Sequence, residues 1–478
     1  MGDLRCTSIK PSLNYATLIL IRFMLVSFVP ELLCPAGSLK NMRYAFAYGA
    51  DAVYAGQPRY SLRVRNNEFN LENLAIGIKE AHQLGKKFYV VSNIAPHNSK
   101  LKTYIRDLKP VVDLNPDALI MSDPGLIMLV REAFPDLPIH LSVQANAVNW
   151  ATVKFWGTQG IERVILSREL SVDEIKEIRE AVPNMELEVF VHGALCMAYS
   201  GRCLLSGYIN KRDPNQGTCT NACRWKYGVH DATENETGDV VASAPKELPQ
   251  PIVVEPTLGE GDTTDNIYLL QEPNRPGEYM PAFEDEHGTY IMNSKDLRAV
   301  EMVEPLTKMG VHSLKIEGRT KSFYYCAKTA QVYRRAIDDA AAGKPYDPAL
   351  SSSLDHLAHR GYTEGFLRRH THDKYQNYDY GHSVSDSAQF VGEIIERNDN
   401  GHAVIDVKNK FMVGDTLELM TPQGNIIFEL NEMRNKKGEL TDVAPGSGHI
   451  VSIPVAEHID LTYALLMRYL PQDTSTRG

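Results

Sequence analysis

Four of the chain's seven cysteines, Cys196, Cys203, Cys219 and Cys223, fall within 28 residues in the order Cys-x6-Cys-x15-Cys-x3-Cys. Four thiolates so close in sequence form a ligand set that can complete a [4Fe–4S] cluster or close a tetrahedral zinc site. Structural zinc commonly takes two tight Cys-x2-Cys knuckles. Here only the last two ligands are close, which departs from the zinc pattern. Cys6, Cys34 and Cys326 are scattered and read as core or incidental residues. An odd count with one dense cluster is not a secreted disulfide framework, and it fits a reducing, cytoplasmic setting.

Other chemistry-bearing residues gather just past the ends of strand-like runs. They are Tyr54, Arg59 and Arg63; Asn93; Ser122 and Asp123; Gln144 and Asn146; Ser167, Arg168 and Glu169; His192; and Lys315, Glu317 and Arg319. Proton transfer or charge stabilisation would fall to His192, Lys315, Glu317, Arg168 and Glu169. Tyr54, Arg59, Arg63, Asn93, Asp123, Gln144, Asn146, Ser167 and Arg319 would hold substrate. Lys315 and Glu317 alternate on one strand and so share its inward face.

The elements that must position these groups are legible in the pattern. Strand-like runs at Glu31–Cys34, Ala52–Ala55, Phe88–Ser92, Ala118–Met121, Ile139–Val143, Arg163–Leu166, Glu186–Val191 and Ser313–Ile316 alternate with amphipathic helical stretches. This is the order of an α/β protein with a (β/α)8, TIM-like barrel. Ser171 with Glu174 makes a capping box before a helix that Pro183 stops, and Gly85 and Gly160 stand where helices hand over to strands. The cysteines begin two residues after Gly193-Ala194, past the seventh strand, on the side where barrel enzymes build their active sites.

The expected organisation is an N-terminal extension (1–30), a barrel (31–345) with a cysteine-bearing insertion (193–306), a connecting segment (346–388) and a small C-terminal β-barrel domain (389–470). Within the insertion, 239–278 reads as an exposed loop, and Thr289–Asn293 as a strand surplus to the barrel. The C-terminal domain rests on alternating runs at Phe390–Glu396, His402–Val407, Thr416–Met420 and Ile426–Glu429, separated by turn dipeptides. The apolar stretch Tyr15–Val29 contains Arg22 and is too short to span a bilayer comfortably; a signal peptide is one reading, but with no small-residue cleavage site before Glu31 the stretch is expected to be an extension upstream of a start at Met24, with no membrane association.

Composition excludes whole classes. With 478 residues, 43% hydrophobic and 23% charged, the chain is neither disordered nor fibrous. A net charge of −10 rules out nucleic-acid binding over the whole surface and leaves only a local basic cleft.

The run Glu188-Val189-Phe190-Val191-His192-Gly193-Ala194-Leu195-Cys196, followed by Ser200-Gly201-Arg202-Cys203-Leu204-Leu205-Ser206, resembles the signature of peptidase family U32. Glu31-Leu32-Leu33 with Pro35-Ala36-Gly37, Gly49-Ala50-Asp51-Ala52-Val53-Tyr54, and Leu314-Lys315-Ile316-Glu317-Gly318-Arg319 resemble its first, second and last barrel strands. The stretch from Asn41 to about Arg369 is similar to the branch of that family that hydroxylates tRNA. The resemblance implies a cytosolic enzyme that converts the wobble uridine to 5-hydroxyuridine, carries a [4Fe–4S] cluster on the four cysteines, and depends on prephenate. It also implies an electron donor that no motif here identifies. Arg298 occupies a position where some relatives carry a further cysteine, so the ligand set is the compact four.

Prephenate is a dicarboxylate, for which Arg59, Arg63, Arg168 and Arg319 offer guanidinium forks. For the tRNA anticodon loop the candidate contacts are Lys211, Arg212, Arg224, Lys226, Arg368 and Arg369, with Trp225, Tyr375, Tyr378 and Tyr380 available for stacking. Other branches of the family are described as collagenase-like proteases. The sequence has no His-Glu-x-x-His, no Gly-x-Ser-x-Gly and no defensible Ser/His/Asp order, so the peptidase reading stands as the alternative, beside a non-enzymatic scaffold for tRNA or a cluster.

Overall fold

The computed structural model describes residues 28–57, 59–62, 68–195, 295–359, 361–368 and 388–470, with the backbone of five further strands between 232 and 290. The four clustered cysteines, and residues 1–27 of the expected extension, lie outside the described residues.

Eight parallel strands form the ring: β1 (Glu31–Pro35), β2 (Ala52–Gly56), β3 (Lys87–Ser92), β4 (Ala118–Met121), β5 (Ile139–Leu141), β6 (Arg163–Ile165), β7 (Glu186–Ala194) and β8 (Ser313–Ile316). Each pairs with the next, and β8 also pairs with β1, which closes the barrel as expected. Strands in such a ring are covered on both faces, which is why β2 (Ala-Val-Tyr-Ala-Gly) and β4 (Ala-Leu-Ile-Met) are buried throughout rather than alternating.

The strands are followed in turn by α1 (Leu39–Ala47), α2 (Leu71–Gln83), α3 (Asn98–Val112), α4 (Pro124–Ala133), α5 (Trp150–Thr158), α6 (Val172–Ala181), α7 (Val303–Lys308) and α8 (Phe323–Ala341). Ser38, Asn70, Asp123, Asn149, Ser171 and Ser322 each cap a helix by accepting from the backbone N–H three residues on. The Ser171–Glu174 capping box is present. Because these helices start where a strand has just ended, the caps also fix the rim of the barrel mouth.

After β7 the chain returns as a short strand, Asp296–Arg298, antiparallel to the end of β7 and parallel to Tyr362–Thr363. The segment expected to be an exposed loop, 239–278, contains strands Val240–Ala242 and Asn266–Gln271. The latter joins Tyr279–Asp285 and Gly288–Tyr290 in a three-stranded antiparallel sheet apart from the barrel. Part of the surplus strand expected at Thr289–Asn293 falls there, and its remainder lies outside the described residues.

The C-terminal part is antiparallel throughout. Its seven-stranded sheet runs Gly424–Glu429, Thr416–Thr421, Leu465–Tyr469, Ala388–Arg397, His402–Val407, Ile450–Pro454, Arg434–Asn435. It has its own core around Val391, Ile405, Phe411, Leu419 and Ile453. It also seats on α1 and α8: Tyr48 donates to the carbonyls of Met420 and Tyr463, both at 2.9 Å, and the Tyr324 and Phe390 rings stack at 4.9 Å. Among the described residues no helix is long and apolar enough to cross a membrane.

Candidate active site

The barrel interior carries charge where most barrels carry aliphatic layers. Lys315 on β8 points inward and is buried, with its Nζ 2.8 Å from Glu188 Oε1 on β7. The other Glu188 oxygen is 3.3 Å from Arg163 on β6, which also pairs with Glu31 on β1 at 2.5 Å. Two acids and two bases thus alternate through the core. Burial alone would raise the Glu31 carboxyl, but the charge and hydrogen bonds of Arg163, helped by Lys87 and Tyr89, hold it below its ordinary value. Burial lowers the Lys315 ammonium, with Glu188 working against it.

Above this pair sit the groups that open toward the mouth. The Lys315 Nζ lies 4.2 Å from the centre of the Tyr54 ring and 5.4 Å from that of Phe190. The Tyr54 hydroxyl donates to the Ile316 carbonyl at 2.9 Å and to Glu317 Oε2 at 3.2 Å. Burial, then the Glu317 charge, pushes that phenol well above its ordinary value, so it stays a donor. The Arg168 guanidinium carbon lies 3.9 Å from the centre of the Phe190 ring, and the side chain donates to the Ala194 carbonyl at 3.1 Å and reaches Glu317 at 3.8 Å. Arg319 donates to Ser61 Oγ at 2.6 Å, with its guanidinium 5.8 Å from the Tyr54 ring centre.

Two glycines make these approaches possible. Gly193 has φ +108°, and a Cβ there would stand 2.5 Å from the Glu317 carbonyl oxygen. A Cβ on Gly56 would stand 2.6 Å from Arg319 Nη1. Larger residues would push Glu317 or Arg319 out of place.

Of the expected site residues, Tyr54, Arg168, Lys315, Glu317 and Arg319 therefore come together. The others organise loops. Asp123 caps α4 through the Leu126 N–H at 2.9 Å. Asn93 accepts from the Leu62 N–H at 3.3 Å and donates to Ser142 at 3.2 Å, and Ser142 donates to Gln144 at 3.4 Å. Asn146 takes the left-handed conformation. Ser167 donates to the Glu169 carboxylate. Arg59 pairs with Asp107 at the exposed surface, and Arg368 pairs with Glu301 and Glu364. Arg63, Lys211, Arg212, Arg224, Lys226 and Arg369 lie outside the described residues, as do Cys196, Cys203, Cys219 and Cys223.

His192, expected at the mouth as a catalytic group, is elsewhere. The β7–β8 register shifts between Lys315 and Ile316, so that Lys315 sits beside Phe190 but Ile316 sits beside His192. This bulge turns His192 to the outer face of the sheet, among the rings of Tyr325, Tyr333 and Tyr362, with its Nδ1 3.3 Å from the Tyr333 hydroxyl. Burial, with Lys321, Arg298 and His359 adding to it, lowers the imidazole to about 3. It is neutral near pH 7 and packs the sheet against α8.

Sequence reasoning missed Glu188, Phe190 and Ser61. The first two had a signal: they share one face of β7 with each other, and a glutamate on the inward face of a barrel strand is out of place unless something across the ring pairs it.

Three cations (Arg168, Lys315 and Arg319) and two carboxylates (Glu188 and Glu317) thus surround two aromatic faces, and the guanidinium groups of Arg168 and Arg319 are of the type that binds carboxylate or phosphate oxygens.

The chain is similar in sequence to known proteins over nearly its whole length. Over 94% of its length the chain is 73% identical to "tRNA hydroxylation protein P" of Escherichia coli, of which it covers 98%. It is 70% identical to the protein of that description from Haemophilus influenzae, over 95% of this chain and 99% of that one. A 23S rRNA 5-hydroxycytidine synthase of E. coli is 28% identical over 86% of this chain and 55% of its own length. The profile described as "Peptidase family U32" matches residues 37–377 and that of its C-terminal domain matches 386–468, so the chain belongs to peptidase family U32.

Proposed function

We propose that the protein is a tRNA hydroxylase of the cytoplasm that converts the wobble uridine of the anticodon loop to 5-hydroxyuridine in a prephenate-dependent reaction. The observation that supports it most is the cationic, aromatic-walled mouth of Tyr54, Arg168, Lys315, Glu317 and Arg319 in a chain so similar to tRNA hydroxylation proteins. Arg168 and Arg319 would take the two carboxylates of prephenate, and Lys315 would face the ring between Tyr54 and Phe190. Glu317 would hold Arg168 and Tyr54 in place.

The four thiols of Cys196, Cys203, Cys219 and Cys223 suit a [4Fe–4S] cluster by donor type and number. When bound, that cluster would supply one-electron chemistry; because C–H to C–OH is a two-electron oxidation, the reaction would also need, from outside this chain, either water with an electron acceptor or an oxygen donor together with an electron donor. A wobble base is already unpaired in its loop, so presenting it to a barrel mouth costs little unstacking.

The test is nucleoside mass spectrometry of tRNA from a strain lacking the gene. Loss of 5-hydroxyuridine derivatives, restored by the wild-type gene, is expected; an unchanged level rejects the proposal.

A further inference from the structure

The loop from β5 to α5 carries a large aromatic side chain into solvent at the barrel rim. Trp150, the first residue of α5, is 50% exposed, and Val148 beside it is 38% exposed. By contrast Trp156, two turns further on, is 9% exposed and packs in the core. The water-exposed half of the Trp150 indole adds no apolar burial to the fold and leaves a ring face open for contact.

Its position is fixed relative to the candidate site. Helix α5 begins just past the carboxyl end of β5, which puts Trp150 on the mouth side of the barrel. Asn149 caps that helix through the Thr152 N–H, which sets the residue after it rigidly. Three residues earlier the Ala147 carbonyl accepts from the Ser167 N–H at 3.2 Å, tying this loop to the one that carries Arg168.

The electrostatics point to a polyanion. From Ser142 to Ile161 there is no Asp or Glu, in a chain that holds 60 of them, and the single charge is Lys154. Lys154 is exposed and stands one turn after Trp150 on the same helix face. An exposed indole with a lysine one turn on, in a stretch of chain free of carboxylates, is the pairing that receives an unpaired base and its phosphate.

We infer that Trp150 is a stacking platform for an unpaired nucleobase of the tRNA anticodon loop next to the base that enters the mouth, with Lys154 on the adjoining phosphate. This rests on the tRNA reading above and adds a contact surface to it.

The test is fluorescence anisotropy of a labelled, unmodified tRNA transcript against wild type, W150A and W150F, with circular dichroism confirming that each variant is folded. W150A should weaken binding about tenfold or more, since a base–aromatic stack contributes on that scale. W150F, which keeps an aromatic face, should recover most of the affinity. Equal affinities for wild type and W150A overturn the assignment of Trp150 while leaving the tRNA reading intact. So does W150A changing the oligomeric mass with RNA affinity unaltered, which would give the ring to a protein partner. A wild-type protein with no affinity for the transcript overturns both.

Discussion

Glu188 and Lys315 form an ion pair inside the barrel, 2.8 Å apart, with the glutamate fully buried and the lysine 3% exposed. Residues 127 positions apart in sequence are joined there because β7 and β8 are neighbours in the ring. Removing one partner strands a buried charge, whereas removing both need not. E188L should therefore destabilise the protein by about 3–5 kcal/mol, since Lys315 loses its ion-pair partner while Arg163 keeps Glu31, and E188L/K315M by clearly less, read from urea unfolding midpoints. A double variant as unstable as the two single losses summed would show that the pair is not coupled.

Replacing Gly193 by Ala forces a side chain into the left-handed region and against the Glu317 backbone. The expected cost is about 1–3 kcal/mol of stability, and tRNA hydroxylation should fall with it because Glu317 moves. Thermal melts and nucleoside mass spectrometry measure the two effects. A variant with wild-type melting and wild-type modification would mean that the close approach of Gly193 to Glu317 is dispensable.

Arg168 makes three contacts at once, over the Phe190 ring, to the Ala194 carbonyl and to Glu317. R168K keeps the charge and loses the planar fork. Hydroxylation in cells carrying R168K should drop about tenfold or more, the loss of roughly one bidentate charged contact. Full activity in R168K would reduce Arg168 to a simple positive charge.

His192 supplies a pH signature. Its imidazole is held at about 3 when folded and titrates at the ordinary histidine value of 6.5 when the chain is unfolded. Between those values the unfolded chain binds more protons, so this residue's contribution is complete above about 6.5 and is lost as pH falls toward 3. Wild type should lose more stability between pH 7 and pH 5 than H192Q, by chemical denaturation. Equal losses would mean that the histidine is not kept neutral by burial.

The barrel was legible because its strands are apolar runs and its helices carry end signals such as the Ser171–Glu174 capping box, both local signals. The inner mouth was legible in part: Tyr54, Arg168, Lys315, Glu317 and Arg319 all stand at or just past strand ends. What could not be read is whatever depends on the neighbouring strand. The bulge beside Ile316 sends His192 outward, and no pattern within β7 encodes it. The core charges Glu31, Arg163, Glu188 and Lys315 meet only once the ring closes. Asp123 and Asn93 look like ligand-binding residues by position, yet they are spent on a helix cap and a loop contact.

The most direct measurement is the 5-hydroxyuridine content of tRNA in a gene-deleted strain complemented with R168A or with E317Q, each checked for wild-type abundance and folding. If the barrel mouth is where the base is modified, both strains should contain little or no 5-hydroxyuridine while the wild-type gene restores it fully. Restoration to wild-type levels by folded R168A and E317Q proteins would contradict a catalytic role for the mouth and leave the protein as a scaffold for tRNA.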